Sequence, residues 1–112
     1  MEPVIRNYRS VYQPGGAAAR LISLYDNPAT CTMTYSVIEP GKTSAHHIHP
    51  WEHVVYVLQG AGTLVCEGKS YAVSEGDGVL VPPHVQHQWR NDTQAPMLRV
   101  TFNAVVSEAH EG

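Results

Sequence analysis

Four of the chain's seven histidines, His46, His47, His49 and His53, fall within eight consecutive positions. Another, His87, recurs in Pro82-Pro-His-Val-Gln-His-Gln-Trp-Arg-Asn91. Neutral imidazole is the commonest protein metal ligand, accepted by Zn, Mn, Fe, Cu and Ni. Side chains alternate across a strand, so His47 and His49 share one face and can close on a common point. A lone histidine is most simply a surface or hydrogen-bonded residue, and an HxH pair also arises by chance on exposed strands. Here the histidines sit among obligatory turns: His47 and His49 precede Pro50, His53 opens an apolar run, and His87 follows Pro82 by five residues. These residues read as one site, with His47, His49, His53 and His87 holding a single metal ion inside a small β-barrel.

Four neutral ligands leave the charge of a divalent transition metal uncompensated, which favours anionic partners such as hydroxide, enolates or carboxylates. A six-coordinate ion keeps two positions open, enough for a bidentate substrate or for substrate plus O₂ or water. Tetrahedral zinc would be saturated by the same four. An open site therefore fits Mn or Fe better, while Zn, Ni and Cu remain compatible with the ligand type. No paired carboxylates, Ser-His-Asp arrangement or phosphate-binding glycine loop accompanies the histidines.

The elements that must position these residues are short and extended. Arg20–Tyr25 reads as a strand ended by Asp26-Asn-Pro28, and Cys31–Ile38 as another ended by Glu39-Pro-Gly41. In the second, Met33, Tyr35 and Val37 share one face and Thr32, Thr34 and Ser36 the other. The histidine-rich stretch is expected to be a strand broken at Pro50. His53–Gln59 is apolar at both parities, with Val55 and Val57 on the His53 side and Val54, Tyr56 and Leu58 opposite, so both faces should be covered. The outer cover is expected to be an N-terminal strand or a second subunit, which implies a homodimer. Gly62–Cys66 and Lys69–Val73 flank Glu67-Gly68 as a hairpin, and Val79–Val81, Gln86–Arg90 and Pro96–Val106 follow as strands. Val4–Asn7 reads as a short lead-in strand, and Ser107–Gly112 as a polar tail in which His110 is a surface residue. Nine or ten short strands without a helix mean an all-β sandwich or closed barrel.

Composition bounds the rest. At 112 residues the chain reads as a single domain spanning 1–112, and 43% apolar with 15% charged residues suits a globular fold. A net charge of −3 with scattered Lys and Arg excludes a nucleic-acid surface. The N-terminus lacks a signal-peptide pattern and no segment reaches membrane-spanning length, so the expected location is the cytoplasm, without membrane partners. Cys31 and Cys66 make no disulfide framework and read as small apolar residues in a reducing compartment.

Across nearly its whole length the chain resembles the cupin superfamily. Gly41, His47-Ile-His49 and Gly60 follow the first cupin motif, with His53 standing where a glutamate ligand is usual. Gly76, Pro82, His87 and Asn91 follow the second, with His84 in place of a glycine. The resemblance implies a double-stranded β-helix barrel of the jelly-roll type with His47, His49, His53 and His87 as metal ligands. It is most similar to small cupins with four-histidine sites. Glu52 follows His49 too closely for the motif and faces away from His53 by strand parity, so it reads as an outward carboxylate or a support for a ligand imidazole. His46 likewise points away.

The pocket is expected to be largely apolar, lined from Met33, Tyr35, Val55, Val57, Trp89, Leu98, Val100 and Phe102, with Arg20 as a polar member. Tyr35 and Arg20 alone offer acid-base or anion-binding chemistry, so both are candidate catalytic residues. Three functions are compatible: an oxygenase-like enzyme acting on a small enolic, carbonyl-bearing or other anionic substrate, which is preferred; a non-redox isomerase, cyclase or lyase; and a metal- or ligand-binding module without turnover. An apolar pocket argues against sugars.

Overall fold

A computed structural model describes residues 2–15 and 18–105. Residues 1, 16 and 17 and the tail from 106 onward, including His110, lie outside the described residues. Eight strands are present among them: β1 (Ala19–Ile22), β2 (Cys31–Ile38), β3 (His53–Gln59), β4 (Ala61–Cys66), β5 (Lys69–Ser74), β6 (Gly78–Val81), β7 (His87–Arg90) and β8 (Met97–Ala104). They form a five-stranded sheet ordered β1-β2-β8-β3-β6 and a three-stranded sheet ordered β5-β4-β7, with every pairing antiparallel. The two sheets enclose a core that includes Ile38, Val57, Leu64, Val73 and Met97. This is the double-stranded β-helix expected of the sequence.

The turns follow from local chemistry. Glu67 and Gly68 both adopt positive φ, 50° and 79°, as a two-residue hairpin turn with the twist of its strands demands. Gly60 sits at φ 86°, and a Cβ there would lie 2.4 Å from the Pro96 carbonyl oxygen, so only glycine lets β3 pass into β4 at this point. Asn91 is wholly buried; its Nδ2 donates to the carbonyls of Ile38 and Ala95 at 2.8 Å, and its Oδ1 accepts from the Thr93 amide and hydroxyl. The asparagine that closes the second motif is therefore a structural lock.

Three expectations are corrected. No strand forms at Val4–Asn7; instead the Asn7 side chain caps a 3₁₀ turn at Tyr8–Ser10. The histidine-rich stretch is not a strand, since residues 43–52 make only isolated bridges, Thr43 to Arg90 and His47 to His87. The third correction reverses a face. Met33, Tyr35, Leu98, Val100 and Phe102 point away from the barrel interior and pack with Tyr8, Tyr12 and Ala19. The Tyr8 ring lies 4.4 Å from that of Tyr35 and the Tyr12 ring 5.4 Å. Because the N-terminal segment covers the outside of β2 and β8, their apolar parity is buried there. Their polar parity, Thr32, Thr34 and Ser36 with Arg99, Thr101 and Asn103, faces the cavity.

On β3 the expected parity holds: Val55 and Val57 are buried, while Val54, Tyr56 and Leu58 are exposed. Cys31 and Cys66 are free and half-buried, and burial raises the Cys66 thiol pKa. No helix among the described residues is long and apolar enough to cross a membrane.

Candidate metal centre

One loop and two strands, β3 and β7, bring the imidazoles together. His47 and His87 face each other across an isolated bridge in which each amide donates to the other's carbonyl at 3.0 Å. The His49 carbonyl accepts from the His84 amide at 2.7 Å. His84 adopts φ 65° there, so the position where the second motif has glycine keeps a left-handed backbone. His53 enters from the start of β3, opposite Val81 on one side and Asn103 on the other.

The ligand nitrogens of His47, His49 and His87 all lie within 4.8 Å of one another. His53 stands beside them, its ring centroid 4.7 Å from that of His49 and 5.0 Å from that of His87. Its Nε2 is buried and has no hydrogen-bond partner. An orphaned buried nitrogen costs roughly 1–3 kcal/mol, and a cation beside it would remove that penalty. On this observation the residues fit a metal ion.

The remaining ring nitrogens are oriented for the same purpose. His87 Nδ1 lies 3.1 Å from the Val85 carbonyl, which can only accept; Nδ1 therefore carries the proton and Nε2 presents its lone pair. His53 hydrogen-bonds Asn103, and with Nε2 unpartnered that bond engages Nδ1. Asn103 Nδ2 reaches Thr34 Oγ1 at 3.4 Å and Thr32 Oγ1 at 3.5 Å, which leaves its carbonyl for the imidazole. Support of this kind fixes tautomer and ring orientation.

Burial, with the neighbouring rings of His49 and His87 adding to it, holds the His53 pKa down at about 4. His49 is lowered by burial and by His47 and His87; His47 is lowered by loss of hydration, by His87 and by Arg99. These rings are thus neutral at ordinary pH, the form a metal requires. The Trp51 indole stacks on His49 with centroids 4.6 Å apart and planes 15° apart.

The imidazoles close one part of a cavity of about 440 Å³. Arg20, Val55 and Trp89 line it as expected, but Met33, Tyr35, Val57, Leu98, Val100 and Phe102 do not. Burial beside Tyr8 and Tyr12 also pushes the Tyr35 phenol pKa upward, on the far side of the sheet from the histidines. Its placement gives Tyr35 no contact with a substrate in this cavity. Glu52 is exposed and lines a separate depression with Val54 and Phe102, and exposed His46 bonds Gln86. Arg99, Asn103 and Trp51 are among the lining residues not expected from the sequence. The signal for the first two is the alternation Arg99, Thr101, Asn103 against Leu98, Val100, Phe102, a strand with two distinct faces.

The sequence profile of the cupin domain matches residues 34–102, a span holding all four histidines of the cluster. The chain belongs to the cupin family. Among curated relatives, this cupin is 35% identical over 60 residues to protein SchB of Streptomyces halstedii, covering 53% of this chain and 44% of that protein. It is 27% identical over 77 residues to a 1-hydroxy-2-naphthoate 1,2-dioxygenase of Nocardioides sp., covering 62% of this chain and 20% of that enzyme. This cupin thus spans less than half the length of these relatives. Among solved structures, a cupin 2 conserved barrel domain protein of Salinispora arenicola superposes with a TM-score of 0.78 at 21% identity, covering 97% of this chain and 93% of that one.

Proposed function

We propose that this cupin is an oxygenase-like metalloenzyme acting on a small enolic or carbonyl-bearing organic anion. His47, His49, His53 and His87 hold one divalent transition metal, with Mn or Fe favoured. When bound, such an ion supplies a Lewis-acidic, redox-capable point at which an enolate can chelate. The protein's part is to keep the imidazoles neutral and oriented, through Asn103 and the Val85 carbonyl, and to enclose the substrate.

One observation carries this reading: among the described residues that line the cavity, none is Asp, Glu, Lys, Tyr or Cys. Isomerisation and elimination chiefly move protons and usually need a positioned base, whereas oxidation of a pre-formed enolate does not. The dioxygenase relative agrees with it. A second reading, a non-redox isomerase, cyclase or lyase, draws support from the hydroxyl-rich wall of Thr32, Thr34, Ser36 and Thr101, which could hold a hydroxylated carbonyl substrate. Turnover of β-diketones and hydroxy-aromatic acids by Mn- and Fe-loaded protein, with and without O₂, separates the two. Consumption that stops anaerobically supports the oxygenase reading; equal rates in both atmospheres support the second.

A further inference from the structure

We propose that the cavity carries a second recognition point, the guanidinium of Arg99, and that the substrate is bifunctional: a metal-chelating oxygen pair at one end and a carboxylate or similar oxyanion at the other. This rests on the reading of the histidine cluster as a metal centre.

Arg99 projects into the cavity from β8, and its guanidinium lies over the Trp89 ring, 4.9 Å from the centroid. Among the described residues its only hydrogen bond is from Nε to Ser36 Oγ at 3.0 Å, so both terminal nitrogens are free to donate. Among those residues it forms no ion pair, and none that lines the cavity is a carboxylate. Burial alone pulls its pKa down to about 10, so it remains charged at neutral pH. A charged, half-buried guanidinium without a counter-ion carries a desolvation cost that an incoming oxyanion would offset. Arg20, opposite Thr34 on the cavity side of β1, adds a second positive charge toward the exposed rim.

The spacing sets the substrate's length. Trp89 follows His87 by two residues and shares its face of β7, so the indole under the guanidinium is set roughly 7 Å along the strand from His87. A chain of a few carbons joins two such points, and the enclosed volume admits a molecule of that size. The Ser36 bond and the Trp89 stack hold the guanidinium plane in place, which favours a planar, bidentate carboxylate.

Two probes differ only at the distal end: 4,6-dioxoheptanoate, which carries a carboxylate, and heptane-2,4-dione, which has a methyl group there. Binding of both to metal-loaded protein is measured by calorimetry, beside metal content and thermal melting. The acid is expected to bind at least about 10-fold tighter, the range of a charge-assisted hydrogen-bonded pair. Arg99→Met should remove that preference while leaving metal content and dione affinity unchanged, and Arg99→Lys should retain part of it. Arg99→Gln replaces the Met variant if the latter melts early. Equal affinity of wild-type protein for both probes would overturn the second recognition point while leaving the metal reading intact. If neither probe reaches a metal centre, the metal reading fails by itself. The same pair of probes on metal-free protein then decides for Arg99: a preference for the acid lost in Arg99→Met supports it, and no preference overturns it.

Discussion

His47 and His87 stand forty positions apart in the chain, yet each donates its amide to the other's carbonyl at 3.0 Å. The side chains that approach the candidate cation are thus registered by backbone bonds independent of the imidazoles. Structure and metal binding should therefore separate on mutation. His87→Ala keeps both bridge bonds, and His53→Ala keeps the β3 pairings to β6 and β8. Either variant should lose more than about 100-fold in metal affinity, beyond the 10–100-fold typical of supporting residues, with little change in far-UV circular dichroism. Metal analysis of the purified variants checks this; undiminished occupancy in His53→Ala would remove that residue from the site.

Asn103 touches His53 rather than the cation position, so its effect should be graded. Asn103→Leu removes the acceptor that orients the ring and should cost about 10–100-fold in metal affinity. Asn103→Asp keeps an acceptor there and should restore most of it. A merely structural role for Asn103 would make both variants alike, and competition titration with a chelator tells the two cases apart.

How much of this was legible in the residues follows from which forces act locally. The motif turns were, because Gly41, Gly60 and Gly76 hold positive φ that their neighbours in sequence already suggest. The parity of β3 was legible too, since Val55 and Val57 have no other place to be buried. The parity of β2 and β8 was not. Assigning Met33, Tyr35 and Phe102 to the interior assumed that apolar faces point inward, whereas Tyr8 and Tyr12 build a second core outside. That cover comes from a segment with no strand pattern, and its packing is a tertiary fact. The same reversal hid Arg99 and Asn103 and made the cavity look apolar.

Asn91 should matter for stability and little for metal chemistry. Asn91→Leu is close in volume but leaves the buried Ile38 carbonyl without its amide, removes one of two bonds to the Ala95 carbonyl and frees the Thr93 donors. A loss of about 2–4 kcal/mol is expected from these orphaned groups. Chemical denaturation reads it, and a shift of under about 1 kcal/mol would mean that water replaces the side chain.

Outside the barrel, Val54, Tyr56, Leu58 and Leu80 form an exposed apolar row on β3 and β6, each 40–59% accessible. The homodimer proposed from the sequence has this surface available to it. Sedimentation should then find a dimer that Tyr56→Glu or Leu80→Glu converts to monomer without loss of metal. A wild-type chain that sediments as a monomer at all concentrations would sink the proposal.

The tie between the N-terminal segment and the barrel should loosen in acid. Arg6 donates to Asp26 at 2.9 and 3.2 Å, and the Ser23 amide donates to the same carboxylate. The Arg6 bond first, and the Ser23 bond second, hold the Asp26 pKa at about 2 against an ordinary 3.8. A depressed carboxyl contributes stability that is fully present above the unfolded-state value and is lost as pH falls through the folded one. Wild-type protein should therefore melt above Asp26→Asn by a constant margin at pH values over 4. That margin should shrink between about 4 and 2 and vanish below. It should also shrink with added salt, as a solvent-facing pair must. Tyr8 and Tyr12, which pack on Tyr35, follow Arg6 closely in the chain, so their fluorescence is expected to report loss of the pair at the same pH; a margin independent of pH across that interval would show that the ion pair does not hold the segment.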